Sequence, residues 1–151
     1  MEQILATGGA AYAAADAAGR QWTIGNAVIR KTLAWQDGAG LCLAALEHRA
    51  TGHVWHPRLL ASDLAGGEFA LRWDDVTLSS RQATALHGAS ATSDEASVTL
   101  RIDLRAADAL DITLCLRARG DTAVLEQWLE VTARQPGVLS RVAPLTVSVA
   151  D

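Results

Sequence analysis

Hydrophobic and polar residues alternate with a period of two along most of the chain from Trp22 onward. The clearest case is residues 97–105, where every second position from Val98 to Leu104 is apolar. This spacing is typical of a strand that buries one face and exposes the other. The alternation resumes at Leu110 after a short break, so the two segments predict an antiparallel hairpin.

Turn signals divide the rest of the chain into further short strands. Such signals cluster at residues 36–40, 119–122 and 135–137. Residues 22–35 are predicted to form one or two strands. Further strands are predicted over residues 41–47, 53–56, 68–73, 76–86, 123–133 and 139–149. Leu125, Trp128 and Leu129 also fit helical spacing, but a run of about ten residues between tight turns favours a strand. Apart from the short strand at 53–56, the segments 51–67 and 88–95 are predicted to be irregular.

About eight or nine antiparallel strands joined by turns predict an all-β fold, an antiparallel β-sandwich. The sandwich domain is assigned to residues 22–151. Residues 1–21 are rich in alanine and glycine and are predicted to form a lead-in, either partly disordered or a short helix. This segment has no basic residue before Arg20 and so lacks the charged start of a signal peptide, and the compartment stays unknown.

The composition narrows the classes of function. The 151 residues are 50% apolar with a formal net charge of -4. A chain without a basic stripe or a long apolar run is not expected to bind nucleic acid or to span a membrane. The two cysteines, Cys42 and Cys115, are predicted to be buried free thiols, although a single bridge between them stays open.

The candidate chemistry is sparse. His48, His53 and His56 lie near Glu47 in the sequence. In a strand, however, the side chains of His53 and His56 would point to different faces, which favours a polar surface over a metal site. The carboxylates at 74–75 and 94–95, and those of Glu126 and Glu130, do not have the spacing of a facing acid and base. We therefore predict no catalytic residue, no metal site and no cofactor.

The chain has five tryptophans but one phenylalanine and one tyrosine. Most are expected in the core, because an indole ring buries a large area. An exposed ring would offer a platform on which a sugar can stack, and Trp55 lies in the irregular segment. Trp55, His53 and Trp73 are therefore the candidate carbohydrate-binding residues.

Two segments resemble the amino-terminal β domain of alpha-galactosidase-like glycoside hydrolases. The first is residues 22–30, with a Gly25-Asn26 turn, followed by 40–43 and by 51–52; the second is residues 124–132, followed by 145–147. The family usually has asparagine where this chain has Ala133, and its acidic-arginine substrate loop has no clear match here. The resemblance implies a galactose-mutarotase-like supersandwich, packed beside a catalytic (β/α)8 barrel that carries the catalytic carboxylates.

The resemblance implies that these residues form a non-catalytic domain, about half of the family's sandwich, with the barrel of the parent chain as partner. Expected roles are packing, oligomerisation into homo-oligomers and help in binding a galactoside. An independent carbohydrate-binding module that uses exposed tryptophan is the alternative. A mutarotase-like enzyme would need a histidine facing a carboxylate; His53, His56 and His87 are available, but spacing singles out no carboxylate.

Overall fold

The computed structural model describes residues 1–57, 67–82, 85–143 and 149–150. The fold is all-β. The strands are β1 Glu2–Gly8, β2 Ala11–Asp16, β3 Gln21–Gly25, β4 Ile29–Gln36, β5 Gly40–His48, β6 His53–Pro57, β7 Ala70–Trp73, β8 Val76–Ser79, β9 Ala85–Ser93, β10 Ser97–Ala106, β11 Leu110–Arg119, β12 Leu125–Ala133, β13 Leu139–Ala143 and β14 Val149–Ala150. A 3-10 turn, Ser80–Gln82, follows β8. Within those described ranges, no helix has the length and apolar character needed to cross a membrane.

Within the described part of the chain, the strands form three antiparallel sheets. The first sheet has the order β1-β2-β3-β4-β5-β6-β14, the second β12-β11-β10-β9, and the third β13-β7-β8. Strands β1, β2 and β3 contact β9, β10 and β11, so the first and second sheets pack face to face. This is the sandwich that the alternation of the sequence predicts.

The core lies between the inner faces of these sheets. Trp22, Ile24 and Leu33 line it from the first sheet, and alternate residues of β10 and β11 line it from the second. Phe69 and Leu71 are buried beside them, at the start of the third sheet. The removal of these apolar side chains from water is the main stabilising contribution to such a fold.

The predicted hairpin at 97–105 and 110–117 is confirmed as β10 and β11, which pair from Ser97 opposite Arg119 to Ala106 opposite Leu110. The strand reading of 123–133 is also confirmed, because β12 pairs with β11 along its whole length. The predicted strand at 139–149 is observed as β13 up to Ala143 and as the short β14; residues 144–148 lie outside the described ranges.

The prediction for residues 1–21 is wrong. This segment forms β1, β2 and the start of β3, and the side chains of Ala11, Ala13, Ala14 and Ala15 are buried. Alanine occupies both inward and outward positions of β2, so no alternation is visible in the sequence. A methyl group fits on either face, and pairing with β1 and β3 decides the structure.

Two predictions downstream are also corrected. The single strand expected at 76–86 ends at Ser79 and gives way to the 3-10 turn. The loop expected at 88–95 is largely strand β9, which pairs with β10 from Ser93 opposite Val98 to Ala85 opposite Arg105. Its small residues hide the strand signal, and the register shifts opposite residues 103–104, next to Gly88.

The third sheet carries apolar side chains that face the side of the core and are only partly buried. Residues opposite one another on neighbouring strands point to the same side of a sheet. Val142 is opposite Leu71, which is buried, and Leu139 is opposite Trp73. The side chains of Leu139 and Val142 are nevertheless 41% and 46% exposed. Leu139 and Val142 of β13 thus lie on the core-facing side of the third sheet and are still partly exposed to solvent.

Candidate functional site

A pocket of about 380 Å³ lies on the outer face of the first sheet, on the side away from the core. Its floor is formed by a cross-strand row of small side chains, in which Thr23 on β3 is opposite Thr32 on β4. Longer polar side chains stand on both sides of this row. The residues lining the pocket are Met1, Glu2, Asp16, Gln21, Thr23, Arg30 and Thr32.

One wall of the pocket belongs to the turn between β2 and β3. Asp16 Oδ1 accepts hydrogen bonds from the backbone amides of Arg20 at 2.8 Å and Gln21 at 3.0 Å. These bonds lower the pKa of Asp16 below its ordinary value, so the carboxylate is ionised at neutral pH. Both of these bonds end on Oδ1.

The opposite wall is formed by Arg30. Its Nη2 donates to the Glu47 carboxylate on β5, which is opposite it in the sheet. Partial burial disfavours the charge of Arg30, but this ion pair outweighs it and raises the pKa of Arg30. At the floor, the hydroxyls of Thr23 and Thr32 lie 3.4 Å apart and share one hydrogen bond. The pocket therefore combines fixed acceptors, a fixed donor group and two hydroxyls that can do either.

Sequence reasoning missed this pocket. The polar residues Gln21 and Thr23 alternate with Trp22 and Ile24, so an outward polar face on β3 is readable from the sequence. The position of Asp16 beside that face depends on β1 and β2, which were predicted as a lead-in. The residue types of the pocket are visible in the sequence, but its position depends on how the strands pair.

The structure places His53 and Trp55 together on β6. Their ring centroids are 4.4 Å apart with an interplanar angle of 67°. Trp55 is opposite Leu46, which is opposite Lys31, a buried residue on the core-facing side of β4. Trp55 is therefore on the core-facing side of the first sheet, near its end, where it is half-buried.

Trp73, the third predicted carbohydrate-binding residue, lies on another sheet. It ends β7, packs against the core cluster and is half-buried. Gly137 lies against its indole ring so closely that an added Cβ would overlap the ring. The loop before β13 therefore covers part of the Trp73 ring.

Two glutamates on the outer face of the second sheet are paired with arginines. Glu130 receives two hydrogen bonds from Arg101, and Glu126 pairs with Arg117 and Arg119. The Arg101 bonds lower the pKa of Glu130. Glu126 and Glu130 are thus ion-pair partners of arginines across the sheet. The lowered pKa of Glu130 is the opposite of what a general acid needs at neutral pH.

The histidine-rich stretch makes local contacts. His48 Nδ1 lies 3.0 Å from Thr51 Oγ1, and Glu47 is the partner of Arg30. In the part of the chain that the structure describes, no group of three His, Cys, Asp or Glu side chains is placed to hold a metal ion.

Both cysteines are free thiols and both are buried, as the sequence predicts. Burial raises the pKa of Cys42 and raises that of Cys115 to about 11. Cys115 faces outward by alternation, yet it is covered, and its Sγ lies 3.7 Å from Glu130 Oε1. Thiols with raised pKa values are poor nucleophiles at neutral pH.

A buried polar cluster inside the sandwich was also missed. Lys31 Nζ donates to Glu68 and, at 2.8 Å, to Gln127 Oε1. Gln127 Nε2 in turn donates to the backbone carbonyl oxygen of Glu68 at 2.9 Å. The cluster joins the first sheet, the second sheet and the segment that leads into the third. Its residues are separated by up to 96 positions along the chain, so no local pattern could have indicated it.

Comparison of the chain with protein-family models, with curated proteins and with solved structures gave no match. The resemblance to alpha-galactosidase-like glycoside hydrolases therefore stands on the sequence segments alone.

Proposed function

We propose that the chain is a non-catalytic β-sandwich domain of a carbohydrate-active enzyme of the alpha-galactosidase-like kind. In this proposal it packs against the catalytic part of that enzyme. The observation that supports it best is the uncovered core-facing side of β13, where Leu139 and Val142 are 41% and 46% exposed. Val76, on the same side of the third sheet next to Trp73, is 57% exposed.

These side chains make the surface suited to a partner. Full burial of a leucine or valine side chain stabilises by about 1.5–3 kcal/mol relative to exposure. Leu139, Val142 and Val76 therefore represent several kcal/mol that an adjoining apolar surface would release. Isolated exposed apolar residues are common, but a group on the core-facing side of one sheet is typical of an interface.

Trp55 supports the same proposal from the first sheet. It continues the core-facing row that runs through Ile24, Lys31 and Leu46, but it remains half-buried. Among the described residues it lies outside the buried core cluster, whereas Trp35 and Trp73 pack against that cluster. A partner that covers the core-facing side at the end of this sheet would bury an indole ring.

The gene provides the first test. We expect the reading frame to continue past the codon for Asp151 into a (β/α)8 barrel. A stop codon at that point would contradict packing within one chain. We also expect the 151-residue chain alone to leave nitrophenyl galactosides unhydrolysed. Turnover that is lost on changing a residue of this chain would overturn the non-catalytic assignment.

The second test asks what covers β13. In the longer protein, Leu139→Asp and Val142→Asp should lower the free energy of unfolding by about 1–3 kcal/mol each. In the 151-residue chain the same changes should cost less than about 0.5 kcal/mol, because the side chains are exposed there. Val124→Asp is the matched control, since Val124 is 60% exposed outside this sheet.

Equal effects in the short and the long protein would contradict the docking surface. Light scattering on the 151-residue chain gives a further arm of the test. A dimer that Leu139→Asp converts to monomer would assign the surface to a second copy of the chain and overturn the barrel as its occupant.

A carbohydrate-binding module is the second candidate, favoured by the ring pair of His53 and Trp55. A half-buried indole at the end of a sheet, in T-shaped contact with a histidine ring, is a kind of platform on which a sugar can stack. This function predicts a change of tryptophan fluorescence on titration with galactosides that is lost in Trp55→Ala and kept in Trp128→Ala. An unchanged spectrum at millimolar sugar would remove the candidate.

A further inference from the structure

We infer that the outer-face pocket between β1 and β4 binds a neutral, polyhydroxylated ligand the size of a monosaccharide. The pocket is open to solvent, on the side of the first sheet away from the core and from the proposed docking surface. Its occupation is therefore independent of docking. The shape, the hydrogen-bonding groups and the charges of the pocket all fit such a ligand.

The shape follows from three neighbouring cross-strand rows. The floor row contains Thr23 and Thr32, whose side chains are short. On one side stand Glu2 and Asp16, which are opposite each other on β1 and β2. On the other side stands Arg30. Small residues between longer ones leave a depression of about 380 Å³, which is within the range of about 300–1,000 Å³ typical of small-molecule sites.

The hydrogen-bonding groups of the pocket match hydroxyl groups. A sugar hydroxyl donates one hydrogen bond and accepts others, so it is satisfied by neighbouring donors and acceptors. Asp16 and Glu2 accept, Arg30 donates, and the Thr23 and Thr32 hydroxyls and the Gln21 amide do both. Two of these groups are held in place, Asp16 by backbone amides and Arg30 by Glu47. Preorganised groups lose less conformational entropy on binding.

The charges favour a neutral ligand. Glu2 and Asp16 repel an anion, which would lie against both carboxylates. The two cationic groups of the pocket, the Arg30 guanidinium and the amino terminus at Met1, offset the two carboxylates and repel a cation, and an ammonium group would offer no acceptor to Arg30. A hydroxylated neutral ring can place acceptors toward Arg30 and donors toward the carboxylates at the same time.

Three hexoses of matched size test the class of ligand. Galactose is neutral, galactosamine is a cation and galacturonate is an anion at neutral pH. Titration of the uniformly 15N-labelled chain with each sugar, followed by amide chemical shifts, locates the site. We expect galactose to bind with a dissociation constant on the order of 1 mM, shifting amides of β2, β3 and β4.

Matched variants test the residues. Thr32→Val keeps the shape of the side chain and removes the floor hydroxyl, so the dissociation constant for galactose should rise about three- to tenfold. Thr32→Ser keeps the hydroxyl and should bind nearly as well as the original chain. Thr77→Val, an exposed position on β8, is the control and should leave binding unchanged. Amide spectra of each variant establish that it is folded.

Three results would contradict this inference, and each contradicts a different part of it. Saturable shifts at His53 and Trp55 but none at β2 to β4 would assign sugar binding to the ring pair and overturn the pocket. Tighter binding of galactosamine or galacturonate than of galactose would overturn the neutral class. The absence of saturable shifts with galactose at tens of millimolar would overturn the site itself, and the docking proposal would still stand.

Discussion

The side-chain amide of Asn26 donates a hydrogen bond of 2.8 Å to the backbone carbonyl oxygen of Thr122. The same nitrogen donates to the carbonyl oxygen of Arg119 at 2.5 Å. Its Oδ1 accepts from the amides of Val28 at 2.8 Å and Ile29 at 3.0 Å. One fully buried side chain therefore joins the turn between β3 and β4 to the turn between β11 and β12.

Asn26→Ala should lower the free energy of unfolding by about 2–4 kcal/mol, because it leaves buried donors and acceptors without partners. Asn26→Asp should be at least as harmful at neutral pH, since a carboxylate oxygen would then face two carbonyl oxygens. Urea unfolding measures both. Gln135→Ala, at an exposed amide in the turn before β13, is the control. A cost below about 0.5 kcal/mol for Asn26→Ala would show that the two turns hold without this side chain.

Asn26 also marks the limit of what the sequence could predict. The pair Gly25-Asn26 indicates a turn, because asparagine accepts hydrogen bonds from the amides that follow it. That local half of its role is readable from the sequence. The other half joins residues 93 and 96 positions apart, and it exists only once the two sheets have packed.

The same division applies to the strands and the pocket. The strands β10 and β11 were predictable because each buries one face with large aliphatic residues. Strands β2 and β9 were not, because alanine, glycine and serine give no contrast between the two faces. The pocket floor combines Thr23 and Thr32 from different strands, so its position required the register of β3 against β4.

The buried pair of Lys31 and Glu68 predicts an asymmetric response to mutation. Lys31→Met leaves the Glu68 carboxylate buried without its cation and should cost about 3–5 kcal/mol. The double variant Lys31→Met/Glu68→Leu removes both charges and should recover at least half of that loss. A double-mutant cycle in urea measures the coupling. Additive costs for the two single changes would contradict a direct interaction in the folded protein.

Asp94 predicts a fall in stability in acid. Its Oδ1 accepts from the amides of Ala96 at 2.8 Å and Ser97 at 2.7 Å, and its Oδ2 accepts from the Ser97 hydroxyl. These bonds lower the pKa of Asp94 below its ordinary value of 3.8. A lowered pKa in the folded state contributes stability above the unfolded pKa, and this is lost as pH falls through the folded pKa.

We therefore expect the free energy of unfolding to decrease as pH falls from about 5 towards 2. Asp94→Asn cannot titrate, so its unfolding free energy should fall less steeply over this interval than that of the original chain. Its stability at pH 7 should be lower, because an amide is a weaker acceptor for backbone N–H groups. Thermal unfolding across this pH range compares the two proteins. Parallel curves would contradict a contribution from Asp94.

The turn between β10 and β11 predicts a stabilising substitution. Ala107 and Asp108 have φ angles of 51° and 52°, and Ala109 N donates to Ala106 O at 3.1 Å. Positive φ at both central positions is characteristic of a type I′ turn, for which Asn-Gly is strongly preferred. An alanine in the left-handed region costs about 1–2 kcal/mol, because its Cβ approaches the carbonyl oxygen that follows.

Replacing both residues, as Ala107→Asn/Asp108→Gly, should raise the free energy of unfolding by about 1–2 kcal/mol. Ala123→Gly is the opposing control. Ala123 is exposed before β12 and is not among the positions with positive φ, so glycine there only adds freedom to the unfolded chain and should destabilise. Thermal and urea unfolding of the three proteins provide the comparison. A double variant less stable than the original chain would show that the hairpin depends on the side chains of this turn more than on its backbone conformation.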